Sequence, residues 1–148
     1  MTILPEIKSL YVGCSLAVAP NEFKDSIVAL KDKLCEQFDI LEFKGQVAGT
    51  NADVYRWDIE HCVADCDMFV AVCDYPSIGL GWELNEAIRL GKPTLGVANN
   101  EAVISRLVLG AADIKPNFTF RRYKDLLLDV PTFVLESLAT VQAIPDST

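Results

Sequence analysis

The chain has 148 residues, so a single domain spanning 1–148 is expected. Half of it is hydrophobic (51%) and about a quarter charged (23%), which excludes a disordered or fibrous chain and allows a sizeable core. The net charge of −8 argues against nucleic-acid polymers and anionic membranes as partners, although a small anion can still meet a locally positive pocket. No apolar run reaches the roughly 18 residues of a membrane span, and "MTILPEIKSLYVG" lacks the charged start and long apolar stretch of a secretory signal, so a cytoplasmic protein is expected.

In chain order, "LYVGCSL" (10–16) reads as a buried strand. Residues 20–38 read as an amphipathic helix, because Phe23, Ile27, Leu30, Leu34 and Phe38 recur at steps of three and four, with Asn21 as the expected N-cap. "ILEF" (40–43) is a short strand and 44–52 a loop. A second helix is expected over 53–66, with Tyr55, Ile59, Cys62, Val63 and Cys66 on its core face. "MFVAVCD" (68–74) is the clearest buried strand. The turn "YPSIGLG" then leads to a helix from about Trp82 to Leu90, which Gly91 and Pro93 terminate. "TLGVAN" (94–99) is a strand, 101–110 a short helix, "FTFRRY" (118–123) an edge strand and 125–142 a closing helix, with Pro131 near its start or interrupting it. The tail after 142 is expected to fray.

Strands of nearly continuous apolar composition that alternate with helices fit a parallel sheet covered on both sides. The expected fold is a Rossmann-like three-layer α/β sandwich, with a mainly parallel sheet of about five strands and helices on both faces. Ligands in such folds lie outside the carboxyl ends of the strands, which brings Tyr11–Ser15 and Asp74–Glu83 to one rim.

The five cysteines, an odd number in a chain of reducing character, read as small buried hydrophobes. His61, Cys62 and Cys66 lack the second ligand pair of a zinc site, so no metal is called for. In the stretch 77–83, Gly79 and Gly81 let the backbone approach a ligand, Ser77 adds a hydroxyl, and the following helix start favours an anion. Gly-x-Gly alone is a weak signal, and neither a dinucleotide fingerprint nor a P-loop is present. Taken singly, Glu83 is a first-turn acid, Asp58 one of several helix carboxylates, and Tyr11 a strand aromatic.

Their order is more specific. The Tyr11 strand, "DIEHCVADCDMFVAVCD" (58–74), "PSIGLGWEL" (76–84) and "SRLVLGAAD" (105–113) together resemble the nucleoside 2-deoxyribosyltransferase superfamily, closest to its 2′-deoxynucleoside 5′-phosphate N-hydrolases. The resemblance runs from about residue 9 into the closing helix. It implies an N-glycosidase with no cofactor, which hydrolyses a (2′-deoxy)nucleoside 5′-monophosphate to free base and sugar phosphate. By the same resemblance Glu83 is the nucleophile at the anomeric carbon, Asp58 helps protonate the departing base, and Tyr11 positions the glutamate and contacts the sugar. Ser15, Ser77 and Gly79 fall on phosphate-contacting positions, with Gly81 beside them. Ser105 falls on a serine that reaches the neighbouring subunit's site, which implies a homodimer.

Such a division of labour is chemically sound. An N-glycosidic bond breaks through an oxocarbenium-like state that a carboxylate stabilises or traps, and the leaving base needs a proton. Two carboxyl groups in different surroundings can share these tasks, with Asp58 the one expected to hold its proton longer. The first loop, "GCSLAVAPN", departs from the family: Ala17 stands where an arginine is common, and Val18 and Ala19 replace glycines. Phosphate recognition then falls to Ser15, Ser77, Ser105 and the helix start, with Arg106 as a further candidate. Asn85 stands where relatives often have glycine. Ser77 occupies the position where the transferase branch carries an aspartate, and a hydroxyl accepts a phosphate dianion that a carboxylate repels. The alternatives are a deoxyribosyltransferase that moves the sugar between bases, and a nucleotide-binding module without turnover.

Overall fold

The computed structural model describes residues 7–42 and 49–143, with side chains to residue 139. Phe43, the loop residues 44–48 and the tail 144–148 fall outside the described residues. Five parallel strands form one sheet in the order β2-β1-β3-β4-β5: β1 (Ser9–Cys14), β2 (Asp39–Leu41), β3 (Met68–Val72), β4 (Thr94–Asn99) and β5 (Phe118–Tyr123). The chain order reverses between β1 and β3, the switch point at which ligands of such sheets bind.

Alternation along the strands sorts the core into two layers. Leu10, Val12, Val70, Val72, Leu95 and Val97 point to one face, where helices α1 (Asn21–Leu34) and α5 (Leu126–Ala143) cover them. Tyr11, Phe69, Ala71 and Phe118 point to the other face, under α2 (Asn51–Trp57), α3 (Ile78–Arg89) and α4 (Arg106–Ile114). Every residue of β3 is buried, as a central parallel strand requires. The side chains of β5 pack closely over its neighbour β4: a Cβ on Gly96 would lie 2.9 Å from the Phe120 ring and 3.0 Å from that of Phe118. Gly96→Val is therefore expected to destabilise the fold by about 1–3 kcal/mol through overpacking, which a urea denaturation midpoint would reveal.

Several local boundaries differ from the sequence reading. Helix α1 is capped by Pro20 with no side-chain bond, and Asn21 is its first residue. Helix α2 begins at Asn51, two residues early, because Thr50 and Asp53 form a reciprocal capping box. It continues as a π-helical segment, Asp58–Val63. The wider π turn shifts the helical phase, so Ile59, Cys62, Val63 and Cys66 are buried while Tyr55 faces solvent, contrary to the even periodicity expected.

Helix α3 begins at Ile78 rather than Trp82, because the Ser77 hydroxyl accepts from Leu80 N (3.2 Å). Gly91, in the left-handed region at φ 77°, ends it together with Pro93. Helix α4 starts at Arg106, later than expected, where Ser105 caps it. The preceding residues stay irregular, since Arg122 takes the carbonyls of Asn99 (3.0 Å) and Ala102 (2.6 Å). Pro131 lies inside α5 without ending it. The proline leaves Leu127 O without its helical donor, and Lys33 Nζ of α1 donates to that carbonyl at 2.8 Å.

Candidate active site

Tyr11 stands on β1, next to the switch point, with its ring tilted against Phe69 at 5.5 Å between centroids. It is only 1% exposed. Its hydroxyl donates a short hydrogen bond to Glu83 Oε2. Glu83 sits in the second turn of α3 and is carried back over the β1 end because Leu80, Leu84, Ala87 and Ile88 anchor the inner face of that helix.

The pair lies in poor surroundings for charge. Burial, above all, raises the Glu83 carboxyl to about 7, and the charge of Asp58 pushes the same way; the Tyr11 hydrogen bond and the more distant Lys31 ammonium oppose them. The Tyr11 hydroxyl is driven far above its ordinary range, chiefly by burial and then by the Glu83 charge. Asp58 opens the π-helical segment, with Oδ1 shielded from solvent, and lies within electrostatic reach of both Tyr11 and Glu83. A π turn at this point is a common device for aiming a side chain into a site.

The remaining candidates occupy the rim. Ser77 is the N-cap of α3. Gly79 and Gly81 lie in the first turn of that helix, not in the turn before it, and are exposed. A Cβ on Gly81 would meet nothing within 4 Å, and one on Gly79 only Ser77 Oγ at 3.8 Å. Their bareness therefore leaves open space at the helix start and is not a requirement of packing. With Leu80 N bonded to Ser77 Oγ and Gly81 N to Ser77 O, the amides of Ile78 and Gly79 are left pointing out of the helix start as donors. Ser15 is fully buried and donates to Pro76 O at 3.3 Å, which ties the first loop to the α3 loop. Ala17 and Val18 are exposed on that loop.

Ser105 caps α4 through Leu107 N, and among the described residues no hydrogen bond joins it to Tyr11, Asp58 or Glu83. Arg106 is exposed beside it. Cys62 and Cys66 are buried, with thiols pushed up to about 12 and about 11, while His61 pairs with Asp65 at 2.7 Å. Among the described residues no group of three potential ligands is placed to hold a metal. A groove of about 420 Å³ lined by Pro93, Asn117, Arg121 and Glu136 lies at the amino ends of β4 and β5, away from this rim.

Two participants carry no motif. Lys31 is 8% exposed and contributes to the electrostatics of Glu83 and Cys14. The signal available for it was a charge at a core position of α1, four residues after Ile27 and one after Leu30. Asp74, placed at the rim by the sequence but given no task, is bonded to Tyr123 and to the backbone of Asn99.

No family model matches the chain. It is 34% identical over 70 residues to the 5-hydroxymethyl-dUMP N-hydrolase of Rattus norvegicus, a match covering 46% of this chain and 42% of that protein. Among solved structures it is similar to the Clostridium botulinum CMP N-glycosidase, with a TM-score of 0.68 at 18% identity over 87% of this chain and 99% of that one. It is also similar to the 2-deoxyribosyltransferase of Leishmania mexicana, with a TM-score of 0.58 at 13% identity over 92% and 98% of the two chains. The sequence match spans less than half of the rat protein, whereas the fold likeness spans nearly all of both chains. No helix among the described residues is long and apolar enough to cross a membrane. The chain thus shares the α/β fold of these two solved structures and is similar in sequence, over less than half of either chain, to a 5-hydroxymethyl-dUMP N-hydrolase.

Proposed function

We propose that this chain is an N-glycosidase that hydrolyses a (2′-deoxy)nucleoside 5′-monophosphate to free base and sugar phosphate. The observation that carries the reading is the hydrogen-bonded pair of buried Tyr11 and largely buried Glu83 beside Asp58, at the switch point of the sheet. The likeness to a 5-hydroxymethyl-dUMP N-hydrolase and to the fold of a CMP N-glycosidase supports it.

In this reading ionised Glu83 attacks the anomeric carbon as the bond to the base breaks, and Asp58 gives its proton to the departing base nitrogen. Water then cleaves the sugar–Glu83 ester, giving up its proton to the now ionised Asp58, which restores both groups. Tyr11 holds Glu83 Oε2 toward the sugar and shares its charge. The phosphate lies at the α3 start against Ser77, Gly79 and Gly81, with Ser15 behind and Ser105 supplied by a second copy.

The test is a mass-spectrometric screen of nucleosides and 5′-monophosphates, including 5-hydroxymethyl-dUMP and CMP, against wild type and Glu83→Ala. Base release by wild type alone is expected. Equal release by both proteins would overturn the assignment. A second base added to the mixture separates hydrolysis from sugar transfer, since only transfer makes a new nucleoside, and tight binding without product marks a binding module.

The pH profile supplies a second check. Since Glu83 must be ionised to attack, activity should rise with pH through about 7. The Tyr11 bond lowers the Glu83 pKa, so Tyr11→Phe is expected to move that rise to higher pH and to slow the reaction by about tenfold or more.

We also propose a homodimer. Ile78, Trp82, Val103 and Leu107 are large apolar residues exposed around the α3 and α4 starts, at 89%, 60%, 95% and 87%. Apolar side chains exposed at the starts of two helices, one of which Ser105 caps, are suited to a second copy. Leu107→Asp is expected to convert a dimer to a monomer in light scattering and to lower turnover with it; an unchanged mass would count against this. The five cysteines, which form no disulfide, fit a reducing, cytoplasmic setting.

A further inference from the structure

We infer that Asp74, held by Tyr123, is a positioning residue that latches the phosphate side of the site; this rests on the nucleotide N-glycosidase reading above. Asp74 lies two residues past the end of β3, on the sheet face opposite Glu83. Its Oδ2 accepts from the Tyr123 hydroxyl at 2.5 Å and from Asn99 N at 3.2 Å, which joins the β3 end to the ends of β5 and β4. Among the described residues no hydrogen bond reaches its buried Oδ1. A buried acceptor left unmatched is unfavourable, so this carboxyl is a poor choice for stability alone. What it accomplishes is mechanical. The segment 74–77 that follows is fixed at three further points: Tyr75 packs edge-on against Phe23 of α1 at 4.9 Å, Pro76 O accepts from Ser15, and Ser77 caps α3. Asp74 makes the hydrogen bonds that tie this segment to β4 and β5, and through them it sets where Ser77 and the open amides of Ile78 and Gly79 stand relative to the sheet.

The neighbouring side chain extends the device. Arg122 donates to the carbonyls of Asn99 and Ala102, at the base of the loop that leads to Ser105. The end of β5 therefore braces both loops that carry a phosphate-contacting serine, Tyr123 through Asp74 and Arg122 through the β4 loop. Glu83 is anchored separately, by Tyr11 and by the inner face of α3. Loosening the latch should consequently disturb phosphate binding and leave the bond-breaking step intact.

The test compares kcat and KM for a 2′-deoxynucleoside 5′-monophosphate and for the same nucleoside without phosphate. Tyr123→Phe, which keeps the buried ring, and Asp74→Ala are expected to raise KM for the monophosphate by about tenfold, as small misplacements of a binding group do. They should leave kcat within about twofold and KM for the nucleoside unchanged. Asp74→Asn keeps an oxygen able to accept both bonds and should restore KM to within about threefold of wild type. An unchanged KM for the monophosphate, or equal rises for nucleotide and nucleoside, would overturn the latch, the second outcome marking a general loss of structure. Calorimetric binding of the monophosphate to Glu83→Gln, with and without Tyr123→Phe, reads the latch without turnover. If wild type releases no base, the catalytic reading fails, and the binding comparison still decides the latch: weaker binding in the double variant upholds it, and equal or absent binding overturns it.

Discussion

Exchanging Glu83 for glutamine is expected to cut base release by about 10³-fold or more, because the reaction loses the group that meets positive charge at the anomeric carbon. The same exchange should make the folded protein more stable at alkaline pH. The Glu83 carboxyl is raised from 4.5 to about 7 in the fold, chiefly by burial. A raised carboxyl favours the folded state below its unfolded value, and that advantage is lost as pH climbs through the folded value. Wild type should therefore lose stability, by on the order of 3 kcal/mol, between about pH 4.5 and 7 and run level above. Glutamine keeps an oxygen for the Tyr11 hydroxyl and carries no charge, so its urea midpoint should change far less over that interval. An inactive variant that is also more stable at pH 8 than wild type would identify the charge, and not the packing of α3, as what Glu83 contributes. Equal pH dependence of the two midpoints would show that Glu83 titrates near its ordinary value and would remove the basis for an activity rise near neutral pH.

The five strands and their parallel sheet were legible because strand-like segments alternate with helices, and β3 is apolar on both faces as only a central strand can be. Helix ends were less legible, since side-chain caps decide them. Ser77 and Thr50 each start a helix earlier than the apolar spacing suggested, and Ser105 starts one later. The early start of α3 changes what Gly79 and Gly81 are for: they are helical residues with empty space in place of a side chain, not turn residues. Tyr55 was misplaced because the π segment breaks the period on which its assignment depended. At the site, Tyr11, Asp58 and Glu83 were recognisable only as a set, from their order along the chain. The Asp74–Tyr123 bond was not recognisable, because it joins residues 49 positions apart through a strand order that no local pattern encodes. Lys31 was legible only as a charge on the core side of α1, and its place near Glu83 follows only once the sheet is set beneath that helix.

Asp58→Asn separates the two carboxyl tasks. With an ordinary base as leaving group, the variant should be slower by about 10²–10⁴-fold, the usual worth of a positioned general acid. With the 2′-deoxyribose 5-phosphate glycoside of 4-nitrophenol, whose anion departs without a proton, the loss should shrink to a few-fold, while Glu83→Gln remains inactive on both. The pH profile gives a second, independent sign. Asp58 serves the base only while it holds its proton, so wild type should lose activity again on the alkaline side as Asp58 ionises, and Asp58→Asn should lack that fall. Tyr11→Phe acts on the acid side instead and moves it upward, because it deprives Glu83 of a hydrogen bond that favours its charged form. Two variants beside one glutamate, each slower yet altered on opposite limbs of the profile, cannot both be explained by a general loosening of the fold. Should Asp58→Asn lose as much on the nitrophenyl glycoside as on a nucleotide, its task would be to hold Glu83 or the sugar, and the proton for the base would have to come from solvent.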